Sequence, residues 1–188
     1  MTVEDRNLAA KAADGDVQAF AQLVHSYSGL VYRVAVRILN TREAQDASQE
    51  VWIRVWRNIR KFRGESAFST WLYKITVNTC LSVLRKEQAR EAREVSDELT
   101  YLPVNISIED DPETAALAAE RRGELLRGLE YVRAEHRAAL VLRHMEGLSY
   151  AEVAQILEVP EGTAKGWVSR GRASLLVALS KQPGQGSR

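Results

Sequence analysis

The chain has 188 residues, a mass of 21.1 kDa and a formal net charge of +1, and 45% of its residues are hydrophobic. This length fits one ordinary domain or two small ones, and the hydrophobic content excludes a wholly disordered chain. The single cysteine, Cys80, excludes an intramolecular disulfide and a cysteine-rich zinc site, and the three histidines lack ligand spacing, so neither metal nor cofactor is expected.

Hydropathy and charge further limit the possible location, fold and partners of the protein. The N-terminal residues lack the apolar core of a signal peptide, and no stretch approaches the roughly 20 apolar residues of a membrane span. We therefore expect a soluble, cytoplasmic protein without membrane insertion. Prolines are few and helix-forming residues are abundant, which predicts an all-α fold. A free-standing DNA-binding protein usually carries a larger positive excess, so DNA binding would require segregated basic residues.

Three helices are predicted in the first half of the chain, with a loop before the third. Their apolar residues recur at spacings of three and four. Asp16 and Asn40 are suitable N-caps for the first two helices. The segment KFRGESAF holds a glycine and a serine between two periodic runs, which is typical of a loop. The predicted bounds are 16–39 for the first helix, which could also be a helical pair, and 41 to about 59 for the second. The loop is predicted at 61–68 and the third helix at about 69–91.

An acidic segment separates the two halves. Residues 94–113 include seven acidic side chains and no lysine or arginine, and Pro103 and Pro112 interrupt any helix there, which predicts a flexible linker. Helices are predicted beyond it at about 113–131, 134–146, 150–157 and 161–180, before a disordered tail. The predicted domains are 10–93 and 113–181, joined by the linker 94–112 and followed by the tail 182–188.

The segment 147–176 has the pattern of a helix-turn-helix. Ser149 and Glu152 form a capping box, and Pro160 suits the start of a second helix. Basic residues occur between 163 and 179 without any acidic ones. A short helix packed across a basic helix is the geometry that enters the major groove. The alternative is a helical hairpin with a solvated basic face.

Three segments of the sequence, taken in order, resemble those of a known protein family. They are AFAQLVHSYSGLVYRVAVRIL, EAQDASQEVWIRVWRNIRKFRGESAFSTWLYKITVNTCLSVLRK and GLSYAEVAQILEVPEGTAKGWVSRGRASL. Together they resemble the extracytoplasmic-function (ECF) sigma factors of bacteria over roughly residues 10–180. The resemblance implies a protein that is not an enzyme, binds core RNA polymerase and promoter DNA, and directs promoter-specific initiation at stress or envelope-response genes. Control by an anti-sigma factor is expected by analogy.

The resemblance also assigns site residues in the first domain. Polymerase binding falls on the second predicted helix, at Asp46, Gln49, Glu50, Arg54 and Trp56. Recognition of the minus-ten element needs aromatic and amide groups for unpaired bases and a basic track for the backbone. The matching residues are Lys61, Phe62, Arg63, Phe68, Trp71, Tyr73, Lys74, Asn78 and Arg85. Trp71 has an alternative place in the core, whereas Tyr73, Lys74 and Asn78 are expected at the surface.

The resemblance also implies that the helix after the turn recognises the minus-thirty-five promoter element. The assigned residues are Thr163, Lys165, Trp167, Ser169, Arg170 and Arg172. The sequence departs from the family here, because Gly166 weakens a helix by up to about 1 kcal/mol relative to alanine. Trp167 stands where relatives carry a DNA-contacting arginine, and it could lie against DNA or pack on a partner. Two other functions explain less of the sequence: a one-component regulator leaves the aromatic and basic loop unexplained, and an enzyme would need a nucleophile–base pair, which is not evident.

Overall fold

The computed structural model describes residues 3–91 and 112–181. The predicted tail and, apart from Pro112, the predicted linker lie outside these residues. All regular structure in the described part is helical, without strands, which confirms the all-α prediction.

The first domain contains four helices. Their bounds are Val3–Ala13 for α1, Val17–Ile38 for α2, Thr41–Asn58 for α3 and Phe68–Glu91 for α4, with a 3-10 turn at Ile59–Lys61 after α3. Helix α1 was not predicted, because its buried positions are small alanines that leave a weak hydrophobic period. Ala9 and Ala12 are nevertheless buried, and they join the core formed by α2, α3 and α4.

The predicted N-caps of α2 and α3 are confirmed. The Asp16 carboxylate accepts hydrogen bonds from the backbone N–H groups of Gln18 and Ala19, at 2.9 and 3.0 Å. The Asn40 side-chain oxygen accepts from the N–H of Glu43 at 3.1 Å. These bonds satisfy N–H groups that have no partner within a helix, so each helix start is fixed by a local signal.

The second domain also has four helices. They are Pro112–Glu130 (α5), Ala134–Leu140 (α6), Tyr150–Leu157 (α7) and Glu161–Ser180 (α8). The predicted helix 134–146 differs from the structure, because α6 passes into a π-helical turn at Val141–Met145. The backbone N–H of Glu146 reaches back five residues to the carbonyl oxygen of Val141, at 3.0 Å. This wider turn sets the direction in which the Glu146 side chain leaves the helix.

Two apolar clusters hold the described helices together. One lies within the first domain and includes Leu23, Val51, Phe68 and Leu72. The other is continuous across both domains, because α2 and α4 pack against α5, α6 and α7. Its members include Val34, Ile38, Val77 and Cys80 on one side and Leu129, Leu140, Leu142 and Val153 on the other. The two helical domains therefore share buried apolar surface.

Two glycines of α8 are expected to respond oppositely to alanine. A Cβ atom on Gly171 would lie 2.8 Å from the backbone oxygen of His136, whereas one on Gly166 would meet only the flexible end of Arg170, at 3.3 Å. We predict that Gly171→Ala lowers the free energy of unfolding by about 1–3 kcal/mol, because backbone must move. Gly166→Ala should raise it by up to about 1 kcal/mol through helix propensity. Urea unfolding of both variants measures the difference, and equal stabilities would show that α6 and α8 are not in tight contact.

Candidate nucleic-acid interface

The helix-turn-helix is built by α7, a short turn and α8. Ser149 Oγ accepts from the N–H of Glu152 at 3.2 Å, and Glu152 Oε2 accepts from the N–H of Ser149 at 2.8 Å, which confirms the predicted capping box. Helix α7 ends at Leu157 and is followed by its C-cap residue Glu158, whose φ of +56° lies in the left-handed region. The turn then leads through Pro160, which is the N-cap residue of α8. Local sequence thus fixes both ends of the turn.

One face of α8 is buried and the other is basic. Ala164, Val168 and Gly171 are buried against α6 and α7. Thr163 is half-buried. The exposed polar residues on the remaining surface include Lys165, Ser169, Arg170 and Arg172, together with Glu161 in the first turn. This exposed face has the charge and the helical presentation that a DNA-reading helix requires.

Trp167 is half-buried and packs within its own domain. Its ring centroid lies 6.2 Å from that of His136, and its side chain packs against the shared apolar cluster. Burial, helped by the charges of Arg170 and Arg133, lowers the pKa of His136 and favours the neutral ring. Because the indole is half-buried in this way, Trp167 supports the recognition helix as well as contributing to its surface.

An aromatic cluster stands where α4 begins. Phe68 lies 5.3 Å from Tyr27, 5.5 Å from Phe62 and 5.8 Å from Trp71, measured between ring centroids. The assignment of Phe68 as a base-stacking residue is wrong for this structure, because its side chain is fully buried. The reason is that α2, which brings Tyr27, covers the first turn of α4. Phe62 and Trp71 are half-buried, and the basic residues Lys61 and Arg63 are exposed beside them.

The expectation of an exposed Tyr73 is also wrong. Its side chain is buried, and its hydroxyl donates to Glu146 Oε2 at 2.8 Å. Burial and this hydrogen bond raise the pKa of Tyr73 above its ordinary value. Lys74 is half-buried and its Nζ lies 2.8 Å from Glu158 Oε1. Asn78 and Arg85, further along α4, are exposed.

The residues predicted to bind polymerase lie along the exposed side of α3. Asp46, Gln49 and Trp56 are exposed, while Glu50 and Arg54 are half-buried. Arg54 Nε donates to Glu50 Oε1 at 2.6 Å, and this bond lowers the pKa of the Glu50 carboxyl. The Trp56 ring rests edge-on against Phe20 of α2, at 4.7 Å between centroids. The helix therefore presents a fixed mixture of apolar and charged groups.

Four residues that join the domains were not predicted from the sequence, namely Arg33, Arg37, Arg137 and Glu146. Glu146 interacts with Arg33, Arg37 and the previously named Tyr73, and buried Arg137 donates to the carbonyl oxygen of Ile38 at 2.7 Å. A weak signal existed for Arg137, because it shares a helix face with apolar residues three and four positions later. The neighbouring sequence of Arg33, Arg37 and Glu146 does not distinguish them from ordinary charged residues at a protein surface.

Within residues 3–91 and 112–181, no three or more histidine, cysteine, aspartate or glutamate residues lie together so that they could hold a metal ion. None of the helices in these ranges is long and apolar enough to cross a membrane.

Family models match both domains of the chain. The model described as Sigma-70 region 2 matches residues 23–90, and the one described as Sigma-70, region 4 matches residues 122–175. With the helix-turn-helix, these matches define a promoter-recognising protein of the sigma-70 class.

Two similar proteins indicate which family of the sigma-70 class the chain belongs to. The chain is 32% identical to an RNA polymerase sigma-H factor of Pseudomonas aeruginosa, with 94% of each chain covered. It is 33% identical to an ECF RNA polymerase sigma-E factor of Haemophilus influenzae, with 89% of this chain and 91% of the relative covered. The chain belongs to the ECF family of RNA polymerase sigma factors. It therefore binds core RNA polymerase and promoter DNA to direct transcription initiation and is not an enzyme.

Solved structures share the fold. CnrH in complex with the cytosolic domain of CnrY gives a TM-score of 0.65 at 23% identity and covers 96% of this chain and 99% of its own. The sigma factor RpoE of Bartonella quintana, in complex with the anti-sigma factor NepR, gives 0.69 at 21% identity, covering 89% of this chain and all of its own. At these identities the likeness concerns the fold.

Cys80 is expected to be chemically silent in the folded protein. Its side chain is fully buried in α4, and burial raises the pKa of its thiol to about 12. Because the thiolate is the reactive form, we predict negligible labelling by an aromatic disulfide reagent at pH 8 and complete labelling in denaturant. Cys80→Ala should transcribe equally under reducing and oxidising conditions. Rapid labelling of the native protein, or redox-dependent activity lost in the variant, would contradict this.

Proposed function

We propose that three surfaces carry out initiation. The polymerase surface is the exposed side of α3 formed by Asp46, Gln49, Glu50, Arg54 and Trp56. The minus-ten surface consists of Lys61, Phe62, Arg63, Trp71, Lys74, Asn78 and Arg85. The minus-thirty-five surface consists of Thr163, Lys165, Trp167, Ser169, Arg170 and Arg172. The first two belong to the domain 10–93 and the third to the domain 113–181.

The exposed apolar side chains of α3 carry the assignment of the polymerase surface. Trp56 is 41% exposed and Ile53 46% exposed, although both are large and apolar. They stand on one helix face with Asp46 and Gln49, one or two turns apart. Large apolar groups beside charged and polar ones are typical of a protein-binding helix, because a purely solvated face has no need of them.

The minus-ten surface combines the two chemistries that unpaired DNA requires. Half-buried rings of Phe62 and Trp71 are rigid platforms on which a base can stack, and exposed Lys61 and Arg63 can follow the phosphates. Asn78 is exposed on α4 and offers both a donor and an acceptor to a base edge. This combination supports recognition of a strand that has been separated from its partner.

The minus-thirty-five surface is supported by the exposed basic face of α8. Lys165 pairs with Glu161 at 2.7 Å within the same helix, while Arg170 and Arg172 are exposed one to two turns later. Arginine can bind guanine edges in the major groove or neutralise phosphates. The near-neutral charge of the whole chain is compatible with this role, since the polymerase contributes to the total DNA affinity.

The wider biology is proposed from the relatives. We infer a cytoplasmic protein that serves stress or envelope-response genes, as the ECF resemblance implies. We also infer an anti-sigma factor as a partner, in analogy with the Bartonella quintana sigma factor that binds NepR.

Run-off transcription tests the function and the polymerase surface together. Core polymerase should initiate at a cognate promoter only when this protein is added. Gln49→Ala should weaken binding to core polymerase about tenfold, a value typical of a residue in the centre of an interface. Gln22→Ala removes the same amide from an exposed site on α2 and is the matched control. Equal affinity of the two variants would remove Gln49 from the surface.

Asn78→Ala is expected to impair promoter opening more than polymerase binding. Loss of a paired amide–base contact costs about 1–3 kcal/mol, so opening should fall about tenfold or more at a matched promoter. Permanganate footprinting of unpaired thymines measures opening, and a binding assay with core polymerase measures the first step. The control, Gln88→Ala, removes an exposed amide three turns further along α4. Opening by Asn78→Ala equal to that of the control would exclude Asn78 from the minus-ten surface.

A further inference from the structure

We propose that α1 positions the loop on which part of the minus-ten surface is built, and that Asp5 and Arg6 are its two positioning residues. This minus-ten loop spans residues 62–67, between the 3-10 turn and α4. The inference rests on the proposed minus-ten surface, to which the loop contributes an aromatic and a basic side chain. Helix α1 lies outside residues 23–90, which match Sigma-70 region 2, so that match assigns it no role.

Buried apolar contacts fix α1 on the first domain. Ala9 and Ala12 are buried, and Leu8 packs beside them against the core that includes residues of α2, α3 and α4. The helix also contacts the 3-10 turn that precedes the loop. Because small alanines allow close packing, α1 is a firm base from which polar side chains can hold neighbouring backbone.

The start of the loop is tied to the end of α1. Arg60, in the 3-10 turn, donates from Nε to the carbonyl oxygen of Ala13 at 3.1 Å. Ala13 is the last residue of α1, and carbonyl groups in the last turn of a helix have no partner within that helix. The bond therefore satisfies a helix end and also fixes the turn from which Lys61 and Phe62 project.

The middle of the loop is held by Arg6. Its Nη2 donates to the carbonyl oxygen of Gly64 at 3.1 Å. Gly64 has a φ of +71°, in the left-handed region that favours glycine, and a Cβ atom there would lie 3.3 Å from Arg6 Nε. The Arg6 side chain thus lies directly over this glycine. Arg63, which is exposed, precedes the anchored residue in the loop.

The end of the loop is set by the aromatic cluster, which Asp5 joins through Tyr27. The Tyr27 hydroxyl donates to the Asp5 carboxylate, and burial together with this bond raises the pKa of Tyr27 to about 12. The Tyr27 ring lies 5.3 Å from that of Phe68, the first residue of α4. Two neighbouring residues of α1 therefore hold the middle and the end of the loop.

A loop that is held in place binds an unpaired strand more tightly than a mobile one. Residues 63–66 belong to no helix or strand, so regular backbone hydrogen bonding does not restrain them. A loop that is ordered beforehand loses little conformational entropy when DNA arrives. Without Asp5 and Arg6, the loop would have to be ordered during binding, and the affinity for DNA would fall.

The two positioning residues carry opposite charges, which separates positioning from direct attraction of DNA. Arg6→Gln removes a positive charge and Asp5→Ala a negative one, yet both should weaken DNA binding about threefold to tenfold, because the loop must be ordered anew. An effect of charge alone would shift the two affinities in opposite directions, since DNA is anionic. The matched controls are Lys11→Gln and Glu4→Ala, which remove the same charges from exposed sites on α1.

DNA binding is measured with reconstituted holoenzyme and a fluorescent oligonucleotide that carries the single-stranded minus-ten element of a cognate promoter. Affinity for core polymerase should stay at the wild-type value in all four variants. Opposite shifts for Arg6→Gln and Asp5→Ala, or affinities equal to those of their controls, would overturn the positioning role alone. A wild-type holoenzyme that does not bind the oligonucleotide would overturn the minus-ten surface as well, so the two failures are distinguishable.

Two further measurements show whether the loop itself changes. Asp5→Asn keeps an oxygen acceptor for the Tyr27 hydroxyl without the charge, so it should retain most of the affinity that Asp5→Ala loses. Hydrogen exchange of the full-length protein, followed by mass spectrometry, should be faster across residues 62–67 in Arg6→Gln and Asp5→Ala and unchanged in α3. A variant that loses polymerase binding has lost its fold, and the other one then decides the result. Wild-type exchange of the loop in the folded variants would overturn the proposal.

Discussion

The arrangement of this protein depends on how one buried carboxylate is satisfied. Glu146 leaves the π-helical turn after α6 and is almost completely enclosed by groups of the first domain. An ionised carboxylate away from water is costly unless it is paired and hydrogen-bonded. Arg33, Arg37 and Tyr73 provide these partners together, whereas no single one of them encloses the carboxylate. The apolar cluster provides the contact area between the domains, and the directional bonds of Glu146 fix their relative position.

The enclosure also affects the groups that provide it. Burial lowers the pKa of Arg37, although the neighbouring Glu146 opposes this shift. Tyr73, held between the two arginines and the carboxylate, keeps its proton because burial and the bond to Glu146 raise its pKa. A tyrosine that could stack on a base at the surface instead serves as a hydrogen-bond donor inside the interface.

The other surfaces are less dependent on the domain contact. The basic face of α8 is exposed while its opposite face packs on α6 and α7, so the second domain itself orients the recognition helix. The exposed side of α3 lies over the core of the first domain and includes Trp56, braced by Phe20. The proposed polymerase surface on α3 is therefore formed within the first domain alone, and the recognition helix α8 is positioned within the second domain alone. Of the three proposed surfaces, only the minus-ten surface includes a side chain that bonds to the other domain.

The sequence by itself determined the helices after α1, the caps of α2, α3 and α7, and the helix-turn-helix, because these depend on neighbours within one or two turns. Asp16, Asn40 and the Ser149–Glu152 pair bond to backbone close by, so their roles could be predicted from spacing. Of the candidate site residues, the exposed polar positions on α3 and α8 could be anticipated from helical periodicity, whereas the exposure of Trp56 could not. Tertiary structure decided the burial of Phe68, the π turn and the partners of Glu146. Tyr73 and Glu146 are 73 residues apart, and no local pattern records a contact that forms only when two helices from different domains meet.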